Sequence, residues 1–269
     1  MNKLTGILLL FFFSPRIAAQ TDSAFLFVKT VKGDIVSFTV DNLDNIYLLS
    51  SSNQVKKLNS NGDSVAIFND VKKFGQASLI DVSNPLKVLL YYRDFATIVV
   101  LDRFLNVRNT IDLRKQNILQ ARAIGQSYDN KIWLYDEVEN KLKKIDEDGK
   151  LLMETPDFRQ LFGQAPIPHK IFDEDKYVYL YDSARAVFVF DYYGGFKTKI
   201  PISGWKNFKV TGKYIFGSKD NQLFRYNIKT LRTEEWKMPE QLYMAQSFNF
   251  SSSRLYALRK DSIEIYSFR

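Results

Sequence analysis

Ile132-Trp133-Leu134-Tyr135, followed by Leu142-Lys143-Lys144-Ile145-Asp146, decides the fold. The first stretch is an unbroken run of apolar and aromatic residues. The second is a short, partly alternating run that ends in an apolar residue followed by Asp. The same pair recurs five more times in the same order. Apolar runs stand at 46–49, 88–91, 177–180, 214–216 and 255–258, and the matching endings are Leu58-Asn59, Leu101-Asp102, Phe190-Asp191, Tyr226-Asn227 and Tyr266-Ser267. Successive endings lie 36 to 45 residues apart.

Each run is short, rich in β-branched and aromatic residues, and bounded by Asp, Asn, Ser or Gly, which is strand chemistry with turn punctuation. A helix would need an apolar stripe at i, i+3 and i+4 over ten or more residues, and only 157–162 and 239–245 hint at one. Inner strands are expected at 36–40, 77–82, 121–126, 169–172, 208–211 and 245–250. Outer strands are expected at 65–68, 107–113, 151–155, 197–202 and 232–238. Four strands per period of about 40 residues is the signature of a β-propeller.

The sixth unit reaches the end of the chain with only three strands. The run 24–30 at the other end has no partner of its own. Placing it as the outer strand of blade six closes the ring and removes an open edge. The expected fold is therefore an all-β, six-bladed propeller of four-stranded antiparallel blades. The competing arrangement, an open sandwich of irregular hairpins, fits the regular spacing poorly.

Two repeats carry a family resemblance. Asp41-Asn42-Leu43-Asp44-Asn45-Ile46-Tyr47 with the stretch 53–62 ending Leu58-Asn59-Ser60-Asn61-Gly62 resembles an NHL-type propeller repeat. So does Tyr128-Asp129-Asn130-Lys131-Ile132-Trp133 with 140–149, ending Ile145-Asp146-Glu147-Asp148-Gly149. The other four keep the strand pattern but lose the Gly and much of the polar frame. The resemblance implies six blades and a binding role; it implies no chemistry.

The chain has 269 residues, 45% hydrophobic and 15% aromatic, with a formal net charge of +8. That apolar content supports a sizeable core and excludes wholesale disorder. With no Cys, a disulfide framework, a thiolate zinc site and a Cys nucleophile are all excluded. Lys3, the apolar run 7–13, Pro15 and Ile17-Ala18-Ala19 read as a secretory signal with cleavage after Ala19. The expected organisation is a signal peptide at 1–19 and one propeller domain at 20–269. Seven apolar residues cannot cross a bilayer, which needs about 20, and no later stretch is longer. An exported, Cys-free chain with Ala-Gln at the junction resembles proteins of the Bacteroidetes envelope.

Candidate chemistry is sparse. Asp41, Asp44, Asp81, Asn84, Asp129, Asp173, Asp175 and Asn249 could gather at the central channel and offer oxygen ligands to a hard cation such as Ca²⁺. Senescence-marker-protein-like six-bladed lactonases use a comparable set, which this sequence does not present. The plainer reading is that these residues shape turns. His169 is the only candidate imidazole base. No nucleophile elbow, phosphate loop or dinucleotide fingerprint occurs. The expectation is thus no catalytic residue, no metal site and no cofactor.

The basic clusters Lys56-Lys57, Lys72-Lys73, 141–144 and 206–213 are expected on solvated strand faces. They form a basic rim suited to an acidic protein, an anionic glycan or an anionic surface rather than to nucleic acid. Tyr91, Tyr92, Arg93, Tyr192 and Tyr193 are the candidate partner anchors, because Tyr and Arg are favoured at interface hot spots. Asp-Ser-apolar triplets at 22–24, 63–65, 182–184 and 261–263 resemble a bacterial O-glycosylation sequon. The reading that joins these features is a non-catalytic scaffold that binds an envelope protein. The alternatives are a cation-dependent sugar- or lactone-processing propeller and a glycan-binding adhesin.

Overall fold

The computed structural model describes residues 25–268. The signal segment 1–19, the first propeller residues 20–24 and the triplet at 22–24 lie outside the described residues. Six four-stranded antiparallel sheets follow one another along the chain. Blade 1 spans 37–68, blade 2 79–112, blade 3 121–154, blade 4 170–200 and blade 5 206–237. Blade 6 is built from Ser247–Phe250, Arg254–Arg259 and Ser262–Phe268, and its fourth strand is Phe25–Lys32 from the other end of the chain. The two chain ends pair antiparallel from Phe25 opposite Phe268 to Lys32 opposite Ser262, with one bulge between Phe27 and Lys29.

The apolar-then-Asx endings have a local cause. At each of the first five third-to-fourth-strand turns, the Asp or Asn side chain caps the turn it opens. The Asp102 carboxylate accepts from the Phe104 and Asn106 N–H groups. Asp146 accepts from Asp148 and Lys150, and Asp191 from Tyr193 and Gly195. Asn59 and Asn227 do the same for their own turns. An acceptor two to four residues ahead satisfies turn N–H groups that a strand no longer pairs. In four of these turns the third residue after the Asx has positive φ, which Gly62, Gly149 and Gly194 adopt without strain and Leu105 adopts in the Asp102 turn; after Asn227 it is the fourth, Leu231.

Burial follows strand position. The second strands of blades 1 to 3 are buried along their whole length, whereas the outer strands of blades 3 to 5 are largely exposed. The reason is geometric: both faces of a middle strand are covered by neighbouring blades. Core clusters therefore form between blades; Tyr47 and Leu49 of blade 1 pack with Val88 and Val99 of blade 2. Where inner strands converge, Gly125 allows blade 3 to approach blade 4, since a Cβ there would lie 2.9 Å from the Ile171 carbonyl oxygen.

Of the basic clusters, Lys72, Lys73, Lys206 and Lys213 are exposed as expected, but the same geometry corrects the expectation at Lys57, Lys143 and Lys144. Lys57, Lys87, Lys143 and Lys144 are buried, because a polar face that would meet water in a lone sheet meets the next blade here. Each finds a partner, as a buried cation must. Lys143 pairs with Asp136 at 2.8 Å, Lys144 with Asp129 at 2.7 Å and Lys87 with Glu147 at 3.1 Å, while Lys57 donates to the Arg103 carbonyl at 2.9 Å.

Helical turns occur at Phe158–Phe162 and Glu240–Leu242, within the two stretches that hinted at them. Three further turns, Val71–Phe74, Arg93–Phe95 and Leu113–Gln116, have no amphipathic signal because each is a single turn inside a loop. Among the described residues no helix is long and apolar enough to cross a membrane.

Candidate functional site

Antiparallel strands put the first-to-second and third-to-fourth turns of every blade at one end of the disc, the hairpin face. The second-to-third turns and the links between blades lie at the other end, the link face. Tyr91, Tyr92 and Arg93 close the second strand of blade 2 and so belong to the link face. Tyr192 and Tyr193 stand in the third-to-fourth turn of blade 4, on the hairpin face. The five candidate anchors cannot share one footprint.

Tyr91 and Tyr92 are also inaccessible, with 0% and 3% exposure. The Tyr91 ring packs in the core between blades 2 and 3, and its hydroxyl oxygen accepts from the Ala121 N–H at 3.1 Å. Tyr135 and Tyr181 repeat this device one and two blades on, donating to the carbonyls of Pro166 at 2.9 Å and Trp205 at 2.6 Å. Tyr91 is therefore an interblade latch, which corrects its reading as an anchor. Arg93 is half-buried and donates to the Arg122 carbonyl at 3.1 Å.

Tyr192 and Tyr193 lead to a site that the sequence reading only partly contained. Tyr128, in the first-to-second turn of blade 3, stacks on Tyr192 across the blade boundary, with centroids 4.3 Å apart and planes 20° apart. Four donors converge beneath the pair on Asp173: Tyr192 Oη at 3.1 Å, Trp133 Nε1 at 2.9 Å, Ser127 Oγ at 2.9 Å and the Tyr128 N–H at 3.3 Å. Burial and the adjacent Asp173 carboxylate push the Tyr192 phenol far above its ordinary range, so it remains a donor. The Lys144 ammonium lies 4.9, 5.6 and 5.9 Å from the ring centroids of Trp133, Tyr128 and Tyr192, within cation–π range of all three.

The result is a rigid aromatic platform. Tyr128 is 66% exposed on top of it and Tyr193, the next residue after Tyr192, is 91% exposed. Leu43, Leu86, Phe104 and Leu231 project from other turns of the same face. Composition gave no hint of the Tyr128–Tyr192 stack. The available signal was positional: both residues follow the end of a strand, in turns that point to the same end of neighbouring blades.

The channel differs from expectation. Of the eight proposed oxygen donors only Asp41, Asp81 and Asn249 line it. Asp44 is bound by Tyr256 at 2.7 Å, Asn84 caps Leu86 and reaches Asn130, and Asp129 holds Lys144. Asp173 serves the platform and Asp175 lies near Lys229 at 3.4 Å. Among the described residues no three His, Cys, Asp or Glu side chains gather as a metal site. His169 lies at the channel wall, and its ring makes no hydrogen bond among the described residues. Lys170 and Lys209 line the channel as well, Lys209 from the 206–213 cluster expected on a solvated strand face. Of the Asp-Ser triplets that are described, 182–184 runs into a turn, while Ser64 and Ser262 are the first residues of their strands; Ser64 is exposed and Ser183 and Ser262 are half-buried.

No family model and no curated protein matches the chain. Solved structures match it throughout. Virginiamycin B lyase from Staphylococcus aureus, solved with quinupristin, superposes with a TM-score of 0.62 at 14% identity, covering 91% of this chain and 100% of that one. The Cps50 (Swd1) β-propeller domain of Myceliophteria thermophila gives 0.60 at 9% identity, covering 91% and 100%. BamB from Moraxella catarrhalis gives 0.51 at 11% identity, covering 91% and 98%. At these identities the likeness concerns the fold, and the fold is shared by an enzyme and by other propellers alike. The chain is a six-bladed β-propeller.

Proposed function

We propose that this chain is an exported, non-catalytic propeller that binds a protein partner in the bacterial cell envelope, as a subunit of an outer-membrane assembly or secretion machine. The observation that carries the reading is the Tyr128–Tyr192 platform with Tyr193 beside it on the hairpin face. Exposed aromatics held in place by buried hydrogen bonds lose little entropy on docking, which is what interface hot spots require. The signal-like segment 1–19 supports export, and propeller turns are suited to recognition because the strands beneath them fix their positions.

The test is affinity purification of the tagged protein from its native envelope with quantitative mass spectrometry, comparing wild type with Tyr193→Ala and Tyr128→Ala. Hot-spot residues cost at least about 2 kcal/mol, roughly 30-fold in affinity. The expected result is a stoichiometric envelope partner whose recovery collapses in both variants while their thermal unfolding stays close to wild type. Undiminished recovery in both would exclude this platform as the docking site. Recovery of the protein alone, even after mild crosslinking, would overturn the scaffold reading itself. Intact mass of the native protein checks the export step, with an N-terminus at Gln20 expected.

A further inference from the structure

The six inner strands enclose a channel of about 400 Å³. Alternation along each strand sends one set of side chains between the blades and the other into this space. On blade 5, Phe208 and Val210 enter the core while Lys209 faces the channel. On blade 4, Ile171 enters the core between Lys170 and Phe172, which flank the channel. Two ammonium groups thus share one water-accessible space, Lys170 exposed in it and Lys209 half-buried.

Neither ammonium has a carboxylate within ion-pair distance among the described residues. Lys170 Nζ donates to the Phe208 carbonyl at 3.1 Å. Lys209 Nζ reaches across blade 6 to the Val40 carbonyl at 2.6 Å and to Asn249 Oδ1 at 3.2 Å. An ammonium has three N–H donors. The hydrogen bonds within the protein therefore leave two on Lys170 and one on Lys209.

The nearby acids are occupied elsewhere. Asp81 accepts from the Ser83 and Gln126 N–H groups, and Asp41 from Leu43, Asn45 and the Tyr47 hydroxyl. Burial raises the Glu174 carboxyl toward its neutral form. Desolvation by the surrounding protein lowers both lysines, and the charge on Lys170 lowers Lys209 further, to about 8, against the opposing fields of Asp41, Asp81 and Asp44. At neutral pH Lys209 is still mostly protonated.

Among the buried lysines of the blades, Lys57 also rests on a backbone carbonyl, that of Arg103, but the others are paired. The buried Lys87, Lys143 and Lys144 each have a carboxylate partner. Asp41, Asp81 and Glu174 line the same channel, but none reaches either ammonium at ion-pair distance, so the unused N–H donors of the two lysines are what an anion entering the channel would satisfy. The wall between them mixes Phe172 and Ile80 with the amides of Asn207 and Asn249, which suits a ligand with a carbon body and charged ends.

We propose that the channel binds a small organic dianion, a dicarboxylate, held between Lys170 and Lys209. This site does not depend on the docking platform, so its test and that of the platform can fail separately. The probe is succinate, measured by thermal unfolding and isothermal titration at pH 7. Sodium chloride at equal ionic strength and inorganic phosphate are the controls, and Lys170→Gln and Lys209→Gln are the variants.

At a hundredfold excess of succinate over Kd, a rise in Tm of about 5–11 °C is expected for wild type. In each variant the rise should fall to the chloride level. Should a variant fail to fold, wild type at pH 9.5 supplies the same comparison. There Lys209, which faces Lys170 and the fields of Asp41, Asp44 and Asp81, is largely neutral, and succinate affinity should fall at least tenfold. No shift beyond chloride, an unchanged shift in both variants, or undiminished affinity at pH 9.5 would each overturn the proposal. A response to phosphate alone would overturn it too, by making the channel an inorganic-anion site.

Discussion

The interblade tyrosines allow a sharp energetic test. Tyr91, Tyr135 and Tyr181 each close the second strand of a blade and bind the link that begins the next. Tyr→Phe keeps the ring and removes one oxygen. At Tyr181 the loss is a 2.6 Å bond to the buried Trp205 carbonyl; at Tyr91 it orphans the N–H of fully buried Ala121. A net hydrogen bond contributes about 1 kcal/mol, and a buried group left unsatisfied costs about 1–3 kcal/mol, so each variant should lose about 2 kcal/mol. For a domain of this size that corresponds to about 4–8 °C in Tm. Tyr92→Phe is the internal control, because the Tyr92 ring is equally buried while its hydroxyl makes no hydrogen bond among the described residues. It should stay within about 0.5 kcal/mol of wild type. Calorimetric and urea unfolding of the four variants would decide the matter, together with partner capture, which Tyr91→Phe should leave intact. A neutral Tyr91→Phe and Tyr181→Phe, or a Tyr92→Phe as damaging as either, would refute the latch.

Three further outcomes follow from other parts of the ring. Leu231 holds a left-handed φ of 58° at an exposed turn; Leu231→Gly should therefore stabilise by about 0.5–1 kcal/mol, the αL strain relieved less the added entropy of the unfolded chain, as read by urea titration. Gly125→Ala places a methyl 2.9 Å from the Ile171 carbonyl oxygen at the junction of blades 3 and 4, and should cost at least about 2 kcal/mol in the same assay. Lys209 has a native pKa of about 8 against an ordinary 10.5, so the unfolded chain binds more protons between those values and the penalty, complete below about pH 8, is released as pH rises. Wild-type stability should accordingly climb relative to Lys209→Met from pH 8 to 10.5, and parallel curves for the two proteins would contradict the assignment.

The repeat was legible because its causes are local. An Asp or Asn that opens a turn satisfies N–H groups two to four residues ahead, so Asn59, Asp102, Asp146, Asp191 and Asn227 mark their turns wherever the blades lie. The apolar second strands were visible for a related reason, since a strand covered on both faces needs a continuous run. Even ring closure could be inferred, because a fourth strand missing at one end and spare at the other leaves few alternatives.

What the sequence could not assign was the role of residues whose neighbours come from another blade. Tyr91-Tyr92-Arg93 has the composition of an anchor, yet Tyr91 faces Ala121 of the next blade and is sealed from solvent. Lys143 and Lys144 have the look of a solvated face, but the neighbouring sheet buries both, and Asp136 and Asp129 neutralise them. The Tyr128–Tyr192 stack joins two turns whose proximity exists only once blades 3 and 4 are packed. Lys170 and Lys209 line one channel because the inner strands of blades 4 and 5 pack side by side and face a common axis. Sequence alone determined the blades, since turn caps and strand runs are interactions within a few tens of residues. The tertiary structure decided the platform and the channel, since both are made of side chains that the packing of different blades brings together.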